Sequence, residues 1–545
     1  MKPLILTLVL LCSMYTAFSQ APFTTSEYVD MNKIKASVSV HGDFGVNYAT
    51  GMPGCEFPKG SGNHISYGGG IWMAAYDAQG SLHASAQTYR QNGNDYWPGP
   101  LNNTGALNYA TSTDWARIWK VNKTDISTFL STTPHTPANT PAAILEWPAK
   151  GNPNAKGNNG ASLTINSNMA PFVDVNGDQK YNALDGDYPV IKGDQFLWWV
   201  FSDNGPTHNA SGFSAMPLQV EVHACSYAFS NGQTQDNIVY YEYDIINKSG
   251  RDLDSMCFGY FNDISIGDDN DDYAGFDSSR RLGIGYNANS IDSKYGSNIP
   301  VSGITFLKVP GDGNGNYEPL GSFLAYYNQG SSFPTGNPEA ANDYNNYMRA
   351  TWKDGMHLKN DYTPGIVSYG RSGTDANYMF DGDPSIMTQW SECGARNPIG
   401  DRRYAISTGD FKLAANATTR IAYALVAADP APSGCPNTNF AEIKRVADTA
   451  WDVYNTLPPL AVNSVAASKR FRAYPNPATQ VFYLESDAPF QTSIQVYDAI
   501  GRKMDVKQNV RNGKIELDIQ TLPSGMYYAN CRLDRMNETV RFMKQ

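Results

Sequence analysis

The feature that most constrains the fold of this chain is a series of short apolar segments between residues 196 and 430. Each segment is rich in β-branched or aromatic residues and is bounded by Asn, Asp, Gly or Ser, as in FLWWVFS, NIVYYEYDIINKS and RIAYALVAA. Such segments predict strands joined by turns. Tyr (34) and Gly (48) are abundant, and long helix-forming stretches are scarce. The pattern predicts an all-β protein with one or two β-sandwich domains.

Changes in composition divide the 545 residues into five regions. In chain order we expect a leader, a Gly- and Asn-rich β region, a β-sandwich domain that ends in a helix, a linker and a small Ig-like β-sandwich, at residues 1–19, 20–195, 196–456, 457–470 and 471–545. The region 20–195 is either a second β domain or an elaboration of the domain that follows. Apolar residues at helical spacing predict the helix over 437–457, with Asn439 as its N-cap.

The leader combines one Lys, an apolar run and a small-residue pattern, which predicts a secretory signal peptide cut between Ser19 and Gln20. No later segment has the ~18 apolar residues that a membrane helix needs, so we expect no integral membrane span. The net charge of −11 would repel phosphate backbones, which argues against a nucleic-acid partner. Six cysteines follow the leader, and their spacing leaves all fifteen disulfide pairings open.

The last 75 residues carry four short motifs in order: YPNP, VYDAIGRKM, LPSGMYY and the basic end RFMKQ. This block resembles the type A C-terminal sorting domain of the type IX secretion system of Bacteroidetes. The resemblance implies that the type IX machinery is a partner and that the protein is exported through the outer membrane. In proteins of this kind the sorting domain is usually then removed. The resemblance thus implies that the preceding region, here called the cargo (residues 20–456), is released or attached to surface lipopolysaccharide. We therefore expect an extracellular or outer-membrane-surface location.

The cargo also resembles a large, poorly characterised family of exported Bacteroidetes surface proteins. The matching pieces span nearly the whole cargo and include FPKGSG, YWPGPL, FVDVNGDQKY, GDYPVIKGDQFLWWVFSDN, IGDDNDDYAGFD, MFDGDP and GDRR. The resemblance places the cargo in a family but implies no activity for it.

The stretch DVNGDQKYNALDGDYP, residues 174–189, has oxygen-bearing side chains at the spacing of a calcium loop. Positions 1, 3, 5, 7, 9 and 12 of such a loop fall on Asp174, Asn176, Asp178, the carbonyl of Lys180, Asn182 and Asp185. The spacing is similar to that of a dockerin repeat loop. Gln179 departs from the pattern, because it stands where an EF-hand has glycine. The alternative is an Asx-rich turn without metal.

Two further acidic segments are candidate calcium loops. The first is FNDISIGDDNDDYAGFD, with candidate ligands Asp263, Asp268, Asp269, Asp271 and Asp272. So many carboxylates repel one another unless a cation neutralises them or they extend into water. The second is GDGNGNYE, with candidate ligands Asp312, Asn314 and Asn316. For both segments a solvated loop remains the alternative.

These observations predict a secreted, calcium-stabilised surface protein of the adhesion type, with an extracellular glycan or other surface molecule as its ligand. The sequence contains neither a GxSxG nor an HExxH motif, so we expect a non-enzymatic protein rather than an enzyme. The rival hypothesis is an exported hydrolase of a polysaccharide or other polymer, which would use loop carboxylates as catalytic acids.

Overall fold

The computed structural model describes most of the chain outside the N-terminal leader. The described residues are 23–48, 50–88, 93–212, 215–313, 317–329, 332–438, 440–458, 460, 471–486, 494–511, 514–533 and 536–545. The predicted signal peptide lies outside these residues, as do Asn439 and most of the predicted linker.

The strands of the described residues are numbered in chain order. The first twelve are β1 Ser26–Val29, β2 Lys35–Ser39, β3 Asp43–Phe44, β4 Val46–Asn47, β5 Met52–Pro53, β6 Cys55–Glu56, β7 His64–Tyr76, β8 Leu82–Ala86, β9 Trp97–Pro98, β10 Trp119–Asn122, β11 Phe172–Val173 and β12 Tyr188–Pro189. The next fifteen are β13 Gln195–Ser202, β14 Val220–Ala228, β15 Ile238–Asn247, β16 Leu253–Ile264, β17 Asp272–Asp277, β18 Leu282–Asn287, β19 Asn298–Ile299, β20 Ser302–Lys308, β21 Leu320–Tyr327, β22 Lys359–Asn360, β23 Thr374–Asp375, β24 Arg402–Thr408, β25 Phe411–Leu413, β26 Thr418–Ala427 and β27 Ala431–Pro432. The last eight are β28 Phe471–Tyr474, β29 Val481–Ser486, β30 Gln495–Asp498, β31 Lys503–Met504, β32 Lys507–Arg511, β33 Lys514–Asp518, β34 Gly525–Leu533 and β35 Met536–Lys544.

The α-helices of the described residues are few and mostly short. They are α1 Tyr109–Trp115, α2 Lys123–Ser131, α3 Ala142–Leu145, α4 Ala341–Tyr347, α5 Glu392–Ala395 and α6 Ala441–Thr456. The all-β prediction is confirmed, and α6 is the helix expected near the end of the cargo. The short helices were not predicted, because each depends on local capping; in α2, for example, the Asp125 carboxylate accepts the Asn122 N–H at 2.7 Å.

Two large antiparallel sheets form the cargo. The first contains ten strands in the main order β1-β2-β3-β7-β16-β24-β21, and β6, β8 and β25 pair alongside. The second contains nine strands in the main order β10-β13-β14-β15-β26-β20-β18-β17, and β9 pairs with β13. Strands from residues 20–195 and from residues 196–456 therefore hydrogen-bond within the same two sheets.

An aromatic core lies between the two sheets. Phe44 and Tyr260 of the first sheet contact Tyr241 and Tyr423 of the second, and the ring centroids of Tyr260 and Tyr423 are 5.0 Å apart. All four side chains are at most 5% exposed. Burial of such large side chains contributes roughly 1.5–3 kcal/mol each to folding, so this core fixes how the sheets stack.

The outer face of the second sheet is also buried, under a second apolar layer. Helix α6 packs there through Ile443, Val446, Ala447 and Ala450. Segments between β10 and β13 cover the rest of the face with aromatic side chains such as Trp147. A sheet buried on both faces explains why β13 reads as a continuous apolar run rather than an alternating one.

Residues 471–545 form a separate small sandwich of two four-stranded sheets, β28-β29-β33-β32 and β31-β30-β34-β35. It has its own core, which includes Phe482, Leu484, Ile515, Leu517 and Phe542. This architecture agrees with the predicted Ig-like module.

Cys393 and Cys435 form a disulfide, with 5.7 Å between their Cα atoms. It ties α5 to the segment that leads into α6. Cys55, Cys225 and Cys257 are buried free thiols, so these three act as small apolar core residues.

Candidate functional site

The first predicted calcium loop connects β11 to β12. These two strands pair antiparallel, with Val173 opposite Tyr188. The pairing brings the ends of the loop together, so the acidic side chains between them lie in one compact loop.

Within this loop, side-chain oxygens accept backbone N–H groups in a regular series. The two carboxylate oxygens of Asp174 accept the N–H groups of Gly177 at 2.7 Å and Gln179 at 2.9 Å. Asn176 accepts the N–H of Asp178 at 3.0 Å, and Asp178 accepts the N–H of residue 180 at 2.8 Å. These consecutive Asx turns wind the backbone tightly around the predicted ligand positions.

Gln179 occupies the position at which an EF-hand loop has an invariant glycine. Its φ is +64°, which is the left-handed conformation that glycine supplies at the sharp turn of such loops. The backbone therefore makes the turn of a calcium loop although the residue that usually permits it is missing.

The end of the loop differs from the expected ligand spacing. Asp185 is exposed, and its carboxylate accepts the Asn182 amide at 2.7 Å. Asp187 is instead fully buried, and it accepts the N–H groups of Val175 at 2.8 Å and Asn182 at 2.9 Å. The structure thus brings Asp187, rather than Asp185, back toward the start of the loop. Gly186, with a φ of +102°, makes this reversal possible.

Burial raises the pKa of the Asp187 carboxyl to about 6, and the charges of Asp174 and Asp178 add to the rise. The two backbone N–H donors lower this pKa, but their effect is smaller than that of burial. Three carboxylates therefore act on one another in this loop. The sequence did not predict Asp187 because a calcium loop has its last ligand at position 12, which is Asp185 here. Gly186, which permits the chain to reverse, was the available sign that the next carboxylate could turn inward.

The 174–187 loop meets some of the requirements of a binding site for a small cation. Each carboxylate or amide oxygen accepts one of these N–H groups and keeps a second lone pair, and the loop has the turn that such a site needs. Among the described residues, however, no three His, Cys, Asp or Glu side chains are gathered in a geometry that could hold a metal ion. A cation would have to draw these carboxylates and the Lys180 carbonyl inward.

The raised pKa of Asp187 predicts a pH-dependent contribution to stability in the absence of metal. Because the folded-state pKa of about 6 exceeds the ordinary value of about 4, folding favours the neutral acid, and this contribution is lost as the pH rises from 4 through 6. In EDTA, the stability advantage of the wild type over Asp187→Ala should therefore shrink over this range. Denaturant melts at pH 4, 5, 6 and 7 would measure it, and a pH-independent difference would contradict the assignment.

In the second acidic segment, individual carboxylates interact with different partners. Asp263 is paired with Arg403, with 3.0 Å between Oδ2 and Nε. Asp271 accepts the side-chain amides of Asn287 at 2.7 Å and Asn289 at 2.9 Å. These carboxylates already have donors, so cation binding would compete with existing interactions.

Of the remaining candidate ligands of this segment, two lie near the surface and one is buried. Asp268 and Asp269 accept N–H groups of Asn270 at the surface. Asp272 is fully buried, and its Oδ1 has no hydrogen-bond partner. Burial first, and then the charges of Asp271, Asp292 and Asp263, hold the pKa of Asp272 well above its ordinary value. Protonation of Asp272 would therefore remove its repulsion with the carboxylates of Asp271, Asp292 and Asp263. The Asp292 carboxylate accepts the Asp268 N–H at 2.8 Å. The sequence did not predict its place in this cluster, because Asp292 lies outside the acidic run.

The third candidate loop contains a strong ion pair. Asp312 accepts two N–H groups from Arg281, at 2.8 and 2.6 Å. Burial tends to raise the pKa of Asp312, but this guanidinium and two backbone donors hold it below its ordinary value. The other candidate ligands, Asn314 and Asn316, lie outside the described residues.

A shallow cleft of about 300 Å³ lies at the cargo surface. It is lined by three polypeptide segments, 25–27, 116–118 and 157–160. Its side chains are mainly polar, so it would suit a hydrogen-bonding ligand better than an apolar one. Exposed tryptophans that could stack against sugar rings are not found at five positions where the side chain is at most 8% exposed: Trp97, Trp198, Trp199, Trp352 and Trp390.

Comparison with known proteins identifies the C-terminal module. Residues 472–545 match the family described as the secretion system C-terminal sorting domain. This confirms the predicted sorting domain and implies that the type IX machinery exports the protein, which is secreted or displayed at the cell surface. Across the described residues, every helix is too short or too polar to cross a membrane.

The same comparisons say little about the cargo. No match is found among curated proteins. Among solved structures, the chain is similar to a polysaccharide lyase at 6% sequence identity and a TM-score of 0.18, over 59% of this chain. It spans about a third (34%) of the length of that lyase. A likeness this distant carries no argument about activity.

Proposed function

We propose that this protein is a calcium-binding surface protein of the adhesion type, which the type IX machinery delivers to the cell exterior, where it binds a glycan or other extracellular ligand. Calcium has a structural role in this proposal. A cation that binds the folded state alone stabilises that state by mass action.

The observation that carries the proposal is the backbone of the 174–187 loop. Its consecutive Asx turns and the left-handed Gln179 reproduce the winding that a calcium loop requires. The ion would be held by Asp174, Asn176, Asp178, the Lys180 carbonyl and Asp187. Asn182 orients Asp187 through its backbone N–H. We do not extend the proposal to Asp263 or Asp312, because arginine side chains already neutralise them.

Ligand binding is assigned to the polar cleft between segments 25–27, 116–118 and 157–160. Its open form and mainly polar side chains support an extended, hydroxyl-rich ligand such as a glycan. Binding without turnover on a glycan array would support adhesion. Release of reducing sugar or peptide fragments from a polymer would favour the hydrolase hypothesis instead.

Alanine substitution of Asp174 and Asp178 should abolish calcium-dependent stabilisation. At calcium 100-fold above the dissociation constant, the wild type gains about 2.7 kcal/mol, and the double variant should lose this gain. The measurement is a thermal or denaturant melt of each protein in calcium and in EDTA.

Asp77→Ala is the matched control for this experiment. Like Asp174, Asp77 accepts two backbone N–H groups, from Gln79 at 3.0 Å and Ser81 at 2.8 Å. It lies outside the three candidate calcium loops, and its other carboxylate oxygen is 3.2 Å from His83 Nε2. It should destabilise the protein equally in calcium and in EDTA. If the double variant behaves in the same way as this control, the calcium proposal is wrong.

A further inference from the structure

The sorting domain has two apolar faces. Along β34 and β35 alternate side chains point to opposite sides of the sheet. Tyr527, Ala529 and Phe542 point into the core of the sorting domain. Met526 and Met543 point the other way and belong instead to the apolar layer on the outer face of the second cargo sheet.

The outward face forms a compact patch of four side chains. Met526 is paired across the strands with Met543, and Tyr528 with Arg541. Met526 is only 7% exposed. An apolar patch of this kind on a small exported module would be exposed to water unless another surface covered it. In this structure the cargo covers it.

The cargo surface that meets this patch is the candidate calcium loop. Arg541 donates a hydrogen bond to the main-chain carbonyl of Asp174. Tyr188, at the end of the loop, is 1% exposed, and it lies close enough to Tyr528 and Arg541 for their charges to influence its pKa, which burial raises well above its ordinary value. Contacts with the sorting domain therefore stabilise the loop in addition to its own Asx turns.

A second contact joins the two parts near the linker. The turn after β30 packs against the end of α6; a Cβ atom at Gly501 would lie 3.4 Å from Leu457 and 3.5 Å from Pro458. Ala499 and Ile500 of the same turn also pack against the cargo layer. Two separate parts of the sorting domain thus contact the cargo, which fixes its orientation.

We propose that the cargo carries a docking surface for its own sorting domain, formed by the 174–188 loop and the end of α6, and that the docked domain clamps this loop. The occupant of the surface is the patch of Met526, Tyr528, Arg541 and Met543. Removal of the sorting domain then uncovers Tyr188 and frees the loop, so the cargo gains a new surface only after export. This inference does not depend on calcium.

Hydrogen exchange on the full-length chain in EDTA tests the docking. Met526→Glu places a charge in the interface, and Arg541→Gln removes the hydrogen bond to Asp174. Amides in peptides covering 172–190 should exchange at least tenfold faster in Met526→Glu and about threefold faster in Arg541→Gln. Val510→Glu is the matched control, because Val510 is an apolar strand residue of the same domain that is 58% exposed; it should leave exchange in 172–190 unchanged.

Peptides covering β29 and β33 report whether the sorting domain stays folded in each variant. If Met526→Glu unfolds the domain, Arg541→Gln decides the matter, since Arg541 lies outside the domain core. Exchange in 172–190 within twofold of the wild type in a folded variant would overturn the proposal. Because calcium is absent throughout, failure here leaves the calcium proposal untouched, and the reverse holds as well.

Discussion

Deletion of residues 471–545 should leave the cargo in the periplasm, with no protein on the cell surface or in the medium. The deleted residues contain the sorting domain, which matches its family over 472–545. The cargo retains both of its large sheets and its own aromatic core, so loss of the domain removes the export signal rather than the fold. Fractionation followed by immunodetection with an anti-cargo antibody would measure the outcome.

Val510→Glu in the full-length chain is the control for this experiment, since it alters an exposed side chain of the sorting domain without removing its core; it should be exported normally. Protease resistance of the retained cargo would show that it is folded. Surface display of a folded cargo without residues 471–545 would refute the assignment of the sorting domain.

Glu242→Ala should destabilise the protein by about 3–5 kcal/mol, which is the usual result of removing one partner from a buried ion pair. Glu242 and Lys192 are 3% and 5% exposed, with 2.6 Å between their charged atoms. The same carboxylate accepts the hydroxyl of Tyr227 at 2.8 Å. Alanine would leave the Lys192 ammonium buried without its counter-charge. Denaturant unfolding followed by tryptophan fluorescence would measure the loss.

Two further variants separate this effect from a general loss of packing. Glu442→Ala breaks a solvent-exposed pair with Arg445 and should cost less than about 1 kcal/mol. The double variant Glu242→Leu with Lys192→Met replaces both buried charges by apolar groups and should recover part of the lost stability. Arg420, 3.6 Å from Glu242 Oε2, keeps Asp244 as its partner in this variant. A cost below about 1 kcal/mol for Glu242→Ala would contradict the burial of this pair.

The strand content of the fold could be predicted because it depends on local sequence. The segments FLWWVFS and NIVYYEYDIINKS coincide closely with β13 and β15. Strand β7 is different, because its run of three glycines resembles a loop. In the structure, a Cβ at Gly70 would lie 2.3 Å from the carbonyl oxygen of Gln87, so the glycine permits a close approach of backbone within a sheet. Such tertiary contacts leave little trace in local sequence.

The candidate site was only partly predictable for the same reason. The spacing of Asp174, Asn176 and Asp178 indicated a tight acidic loop, and the structure contains one. Asp187 became apparent only after Gly186 was seen to reverse the chain. The burial of Asp272 depends on strands that are distant in sequence. Ligand spacing describes side chains within one turn, whereas burial and ion pairing depend on the packing of the whole domain.

The proposed docking of the sorting domain gives the candidate calcium loop a second role. The segment that would bind the ion also contacts the module that directs export, through Asp174 and Arg541. Removal of that module would leave calcium and the Asx turns to order the loop. The mature cargo should therefore depend on calcium more strongly than the full-length chain does.

Calcium titration into the EDTA-stripped full-length protein, followed calorimetrically, tests the central claim most directly. The account predicts saturable binding of one ion per chain, with a dissociation constant on the order of 10⁻⁴ M, as in extracellular calcium modules. This binding should be absent from the variant with alanine at both Asp174 and Asp178. The weakest extracellular calcium modules have dissociation constants of about 10⁻³ M. If no saturable binding occurs at calcium concentrations up to roughly tenfold above that value, the claim is contradicted and the loop is a metal-free acidic turn.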